Sequence, residues 1–186
     1  TDVPPLFVTA LRFLILAGAL SPFLKIPAGT GKRIVEYALV MGIGHFGTMF
    51  YAIRFMDVST AAITLQTTTP FTVLLAWLML GERFGPWRMA GLAMAFGGVV
   101  VLVGGPGGVD ALMPLLMLVF AALMWAVGNV RSKQMPDVPI FSQIAWMALI
   151  GCPALAGMSW FTETGQLAAL QDDEFRFWAA LVYMTI

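Results

Sequence analysis

Residues 58–80 read Val-Ser-Thr-Ala-Ala-Ile-Thr-Leu-Gln-Thr-Thr-Thr-Pro-Phe-Thr-Val-Leu-Leu-Ala-Trp-Leu-Met-Leu. A bilayer is spanned by roughly 20 apolar residues, so this stretch predicts a membrane helix. Gln66-Thr67-Thr68-Thr69-Pro70 then lies near the bilayer midplane. Pro70 has no N–H, which leaves the Gln66 carbonyl without its usual helical donor. Hydrocarbon satisfies neither that carbonyl nor the Gln66 amide; another helix, a water-filled cavity or a ligand must do so. Broken, polar helices at mid-depth are where transporters place binding sites. Gln66, Thr67 and Thr69 are therefore candidate solute contacts, with Pro70 as the helix break. The same residues also fit a purely structural kink, in which threonine hydroxyls bond back to the preceding turn.

Composition sets the class. The chain is 60% hydrophobic and 11% charged, with a mean hydropathy of +0.88, against about 25% charged in a soluble domain. An all-α polytopic membrane protein is expected, with the lipid bilayer and a small-molecule solute as its partners. Net charge is zero, with no basic block or acidic tail, so nothing points to nucleic acid. The single cysteine, Cys152, has no internal disulfide partner, and one Cys with one His does not make a zinc site. No cofactor is implied. The chain opens at Thr1 and stops at Ile186 inside an apolar run from Phe177, a run too short to span. A piece of a longer protein is the expectation.

Six complete spans and one truncated span are expected: Pro5 to Leu24, Val35 to Ile53, 58 to 80, Trp87 to Val103, Ala111 to Val130 after a Gly104–Gly108 turn, Ile140 to Trp160, and a last one beginning near Phe175. Lys25, Lys32, Arg33, Arg83, Arg88, Arg131 and Lys133 all fall in alternate loops, whereas the opposite loops hold only Arg54 and Arg176. By the positive-inside rule the loops after the spans ending near Leu24, Leu80 and Val130 are cytoplasmic, in a multi-pass protein of the cell (inner) membrane. Asp172-Asp173-Glu174 is then external.

Residues 2–7 read Asp-Val-Pro-Pro-Leu-Phe and residues 137–141 read Asp-Val-Pro-Ile-Phe. Each motif opens an apolar span, and the two lie five spans apart. An odd separation places them on opposite sides of the membrane, as in an inverted-topology repeat. The implied unit is five helices, of which the chain holds the last four of one copy and the first three of the next.

Further motifs carry a family resemblance. The stretch STAAITLQTTTPFTVLLAWLMLGERFGPWRMAGLAMAFGGVVVLVGG (59–105) combines an Ala-rich helix with a mid-helix Thr-Pro, a Leu-Gly-Glu-Arg turn at 80–83, and a Gly/Ala-rich helix after it. It resembles the EamA-type repeat of the drug/metabolite transporter superfamily. PPLFVTALRFLILAGAL (4–20) fits the same pattern, and LVFAALMWAVGNVRSKQ (118–134) resembles the start of the second repeat. The resemblance implies ten helices in two inverted five-helix repeats, here truncated to about seven spans. Residues 1–108 would be the first repeat without its first helix, and 109–186 the start of the second. It also implies transport of small metabolites.

Several other side chains are candidates for a solute pathway. His45, the only histidine, sits mid-span and is either a proton carrier or a neutral ring bonded to a neighbouring helix; Thr48, nearly one turn on, shares its face. Trp125 and Asn129 are one turn apart and either line a cavity or form part of an interfacial tryptophan belt. Arg12 is the one basic residue well inside a span. It either snorkels to the surface, serves folding, or holds the carboxylate of a solute. Glu36, Asp57 and Glu82 lie near span ends, so no acid is placed at mid-depth for a proton relay. Gly42, Gly44 and Gly47, and the small residues Ala90, Gly91, Ala93, Ala95, Gly97 and Gly98, read as close-packing seams. Gly81 reads as a helix C-cap.

The expected function is a secondary-type transporter that exports amino acids or similar amphipathic metabolites by alternating access. The alternative is a non-transporting membrane scaffold or assembly subunit. An enzyme is not expected, because no pair of carboxylates and no Ser–His constellation falls at one depth.

Overall fold

In a computed structural model of the chain, residues 4–103, 112–167 and 181 are described. The helices are α1 (Pro5–Ala19), α2 (Gly31–Ala38), α3 (Thr48–Ile53), α4 (Val58–Leu65), α5 (Thr68–Leu80), α6 (Pro86–Val103), α7 (Leu112–Lys133) and α8 (Ile140–Thr162). A π-helical segment, Leu39–Gly47, joins α2 to α3 in one continuous helical path. No strand occurs among the described residues. Val58–Leu80, Leu112–Lys133 and Ile140–Thr162 are each long and apolar enough to cross a membrane.

Helices form at the six expected complete spans, with specific differences in length and boundaries. The first helix stops at Ala19 rather than Leu24, because Ser21-Pro22-Phe23 turns into a single 3₁₀ segment and Pro22 has no N–H to continue the ladder. At 15 residues α1 is about 22 Å long. The second helical path starts at Gly31, four residues early, and carries the π segment, which was not expected. Gly81 ends α5 with φ 67°, the left-handed C-cap that its sequence suggested. The Asp2-Val3 start of the first repeat motif, the Gly104–Gly108 turn, Asp172-Asp173-Glu174, Arg176 and the last span near Phe175 lie outside the described residues.

The core is built where α1, α2, the π segment, α7 and α8 meet. Leu6, Ala10, Phe13 and Ala17 of α1 pack with Ile34, Tyr37, Ala38 and Met41, and with Met147, Ala148 and Leu155 of α8. In lipid no hydrophobic force pulls helices together, so close backbone approach and dispersion must supply the contact. The glycines do this. A Cβ on Gly42 would meet the Gly151 Cα at 3.1 Å and the Met147 carbonyl at 3.3 Å, and a Cβ on Gly151 would meet the Phe13 ring at 2.7 Å. Gly128 of α7 makes room for Met41 in the same way. Gly91, Gly97 and Gly98 of α6 face nothing within 4 Å, so that part of the small-residue seam packs on no described element.

The basic loops converge at one end of the bundle. Lys133 Nζ lies 2.9 Å from Glu82 Oε1, Arg131 lies 3.8 Å from Glu36, and Arg33 donates to the Gln134 carbonyl. The pairs are half-exposed and contribute little stability each, but they place the 31–36, 82 and 131–134 segments side by side.

The glycine seam is testable by thermal melting in detergent. Gly42→Val must push against backbone rather than a flexible side chain and is expected to cost about 1–3 kcal/mol. Gly18→Ala, with nothing within 4 Å of its Cβ, is expected to stay within about 0.5 kcal/mol of the parent.

Candidate functional site

The π segment positions the site. A π turn is wider than an α turn, occurs in short stretches, and is often found at functional positions. Here it carries His45 and Phe46 into the face of α7. His45 is 4% exposed, and its Nδ1 lies 2.8 Å from the Ala121 carbonyl oxygen. A carbonyl only accepts, so Nδ1 carries a proton and donates it; in a neutral ring Nε2 is then the acceptor. The His45 ring is 4.7 Å from Trp125 and 4.8 Å from Phe46, centre to centre. Phe46 continues the cluster edge-on to Phe13 of α1 at 5.3 Å and stacked on Phe50 at 6.4 Å. Such geometries use the ring quadrupoles favourably. Trp125 is thus packed against the His45 ring.

A polar line runs beside this cluster between α5 and α7. Thr72 Oγ1 donates to the Thr68 carbonyl at 2.7 Å, and Asn129 Nδ2 lies 3.5 Å from Thr72 Oγ1, the long limit of a hydrogen bond. His45, Trp125 and Asn129 are therefore brought to one region, and Thr48 is half-buried one turn beyond His45. Arg12 is half-buried on α1, adjacent in sequence to Phe13.

The Gln66–Pro70 break forms, but not as an open acceptor. α4 ends at Leu65 and α5 begins at Thr68. Between them the backbone tightens to 3₁₀ bonds, Gln66 N–H to Ile63 O and Thr67 N–H to Thr64 O. The Gln66 carbonyl, expected to lack a helical partner, accepts from the Thr69 N–H at 3.2 Å. The buried Thr67 hydroxyl donates to the Thr64 carbonyl at 2.7 Å, and Thr64 donates to Thr60 at 2.8 Å. Thr67 is thus occupied with its own backbone, Pro70 is buried, and the Gln66 and Thr69 side chains are open on the surface of the described chain.

The sequence reading passed over Glu163. It is 6% exposed and lies at the end of α8. Its two carboxylate oxygens accept from the Leu6 and Phe7 N–H groups at 3.0 and 3.1 Å, and from Ser159 Oγ at 2.7 Å. The signal available was Pro4-Pro5. Two prolines leave α1 with no capping side chain and only two free first-turn amides, so a remote acceptor is required. Phe13 was likewise invisible as a partner of Phe46, because only the fold joins them, whereas Phe46 and Phe50 lie one turn apart on the same helical path. No group of His, Cys, Asp and Glu able to hold a metal occurs among the described residues.

Residues 1–104 match the EamA-like transporter family. The chain belongs to that family. It is 32% identical over 155 residues to a probable amino-acid metabolite efflux pump of Salmonella typhimurium, covering 80% of this chain and 52% of that protein. It is 31% identical over 156 residues to the protein of the same name in Escherichia coli, with the same shares covered. It is 30% identical over 149 residues to the aromatic amino acid exporter YddG of Ancylobacter novellus, covering 74% and 52%. The chain thus spans about half the length of these curated relatives. A solved crystal structure superposes with a TM-score of 0.72 at 22% identity, over all of this chain and 66% of the other; that likeness is one of fold. A multi-pass, all-α membrane protein of a transporter family, as its sequence motifs indicated, is the result.

The His45 assignment is checked by solid-state NMR of the protein carrying ¹⁵N-labelled histidine. The expected spectrum has a protonated Nδ1. An unprotonated Nδ1 would mean that the Ala121 contact is not a hydrogen bond.

Proposed function

We propose that the complete protein is a secondary transporter that exports amino acids, aromatic ones foremost, or similar amphipathic metabolites. One observation carries this reading: a cluster of Phe46, Trp125 and Phe13 beside a buried histidine whose Nδ1 is held by the Ala121 carbonyl, leaving Nε2 as the acceptor of the neutral ring. An aromatic amino acid has a ring that such a cluster stacks against and an ammonium group that a lone pair receives. The relatives named as amino-acid efflux pumps and as an aromatic amino acid exporter support the same class.

In this reading, residues 1–108 and 109–186 belong to two inverted repeats that rock about the aromatic cluster to expose it to each side in turn. Asn129 and Thr72 extend the polar side of the path, and Thr48 and Arg12 flank it. Gln66 and Thr69, beside the Pro70 break, would meet solute only from the outer face of α4 and α5, and Thr67 holds the break together. The Lys- and Arg-rich end is cytoplasmic by the positive-inside rule, in the cell membrane.

Efflux of a labelled amino-acid panel from cells expressing the complete protein tests the reading. Aromatic amino acids are expected to leave faster than from empty-vector cells. Trp125→Ala is expected to raise the half-saturating concentration about tenfold, from the loss of roughly 1.5 kcal/mol of ring contact. Equal efflux by Trp125→Ala, His45→Ala and the parent protein, at matched membrane levels, would remove the cluster from the pathway.

A further inference from the structure

The long antiparallel seam between α1 and α8 is tied differently at its two ends. At one end, α1 begins Pro4-Pro5, so neither residue offers an N–H. The two remaining first-turn donors, Leu6 and Phe7, both go to Glu163, and Ser159 orients the same carboxylate. Gln166 Nε2 braces the turn by donating to the carbonyls of Ser159 at 3.0 Å and Glu163 at 2.9 Å. The neighbouring Arg54 guanidinium donates to the Thr162 carbonyl at 2.8 Å, so the link to α1 is made through amides. Hydrogen bonds to an ionised acceptor are about twice as strong as neutral ones, and here three converge on one group that is nearly closed off from solvent.

At the other end the α1–α8 link is neutral, and the Arg131–Glu36 and Lys133–Glu82 pairs that tie α7 to its neighbours there are half-exposed and contribute little each. Ser142 Oγ donates to the Lys25 carbonyl at 2.7 Å. Beside it, Gln143 Oε1 and Trp146 Nε1 are buried without a hydrogen-bond partner among the described residues, and Gln143 is only 3% exposed. Buried unpaired groups carry a desolvation penalty that water relieves on opening. Opening the bundle there breaks one neutral bond and the Phe23–Phe141 ring contact, and it gives water access to two unsatisfied atoms at that end of α8. Parting it at Glu163 breaks three bonds to a carboxylate.

We propose that Glu163 is a positioning residue of the transport cycle: by clamping the first turn of α1 to the end of α8, it holds that end of the bundle closed and biases the protein to open at the Ser142–Gln143–Trp146 end. This rests on the alternating-access reading above. With the basic loops cytoplasmic, the favoured opening faces the cytoplasm, the side on which an exporter loads.

The test uses electron–electron distance measurements on the complete protein in nanodiscs, in a Cys152→Ser background. One spin-label pair, Phe55→Cys with Phe161→Cys, reads the Glu163 end; a second, Lys32→Cys with Asp137→Cys, reads the other. Glu163→Gln is expected to raise the longer-distance population of the first pair roughly tenfold, with a reciprocal shortening in the second. A cap that only stabilises α1 would lower the melting temperature without a reciprocal shift. Unchanged distance distributions at both pairs in Glu163→Gln therefore overturn the proposal, whatever happens to the melting temperature. If Glu163→Gln does not fold, Ser159→Ala, which keeps the carboxylate but removes its orienting hydroxyl, carries the same expectation in weaker form, and an absence of shift there overturns it equally. Absence of solute flux in the parent protein would defeat the transport reading while leaving the distances readable.

Discussion

A helix in hydrocarbon has nowhere to send an unpaired N–H or C=O, and much of this structure is a set of answers to that constraint. Pro4 and Pro5 remove the amides that would otherwise be free, and Glu163 reaches from the far end of α8 to take the two that remain. Pro70 removes the donor for Gln66, and the chain tightens by one hydrogen bond so that Thr69 supplies it. Thr9, Thr64, Thr67 and Thr72 turn their hydroxyls back on their own helices. Polarity within the spans is therefore mostly spoken for, and two buried atoms stand out as without a partner among the described residues: Gln143 Oε1 and Trp146 Nε1.

Packing places those leftovers. Because Gly42 and Gly151 let the π segment and α8 meet backbone to backbone, the π turn can lie deep enough for His45 and Phe46 to reach Trp125 and Phe13. The chain of cause runs from small residues, through a widened helix turn, to an aromatic cluster with one oriented histidine.

The fold class, span order, Gly81 cap and family were legible because each is written locally, in apolar run length, in a Gly after a run, or in motifs in a fixed order. The π segment was not, because nothing in the residue types of Leu39–Gly47 distinguishes it from an ordinary apolar α-helix. The Gln66 carbonyl was misjudged because the missing donor of Pro70 is local, whereas the compensating 3₁₀ bonds involve the whole turn from Ile63 to Thr69. Glu163 was overlooked because its meaning lies 157 residues away in the chain. His45 and Trp125 were singled out separately, and only the tertiary structure joins them. Charge patterning placed Glu36, Glu82, Arg131 and Lys133 near membrane surfaces, and their ion pairs gather at one end of the bundle.

Counterflow in proteoliposomes containing the purified complete protein tests the central claim most directly. Vesicles preloaded with unlabelled phenylalanine or tryptophan should transiently accumulate the labelled solute above its equilibrium level, and Trp125→Ala should slow that overshoot at sub-saturating solute. No overshoot for any amino acid, from protein that is folded and correctly inserted, would contradict an amino-acid transporter built around this cluster.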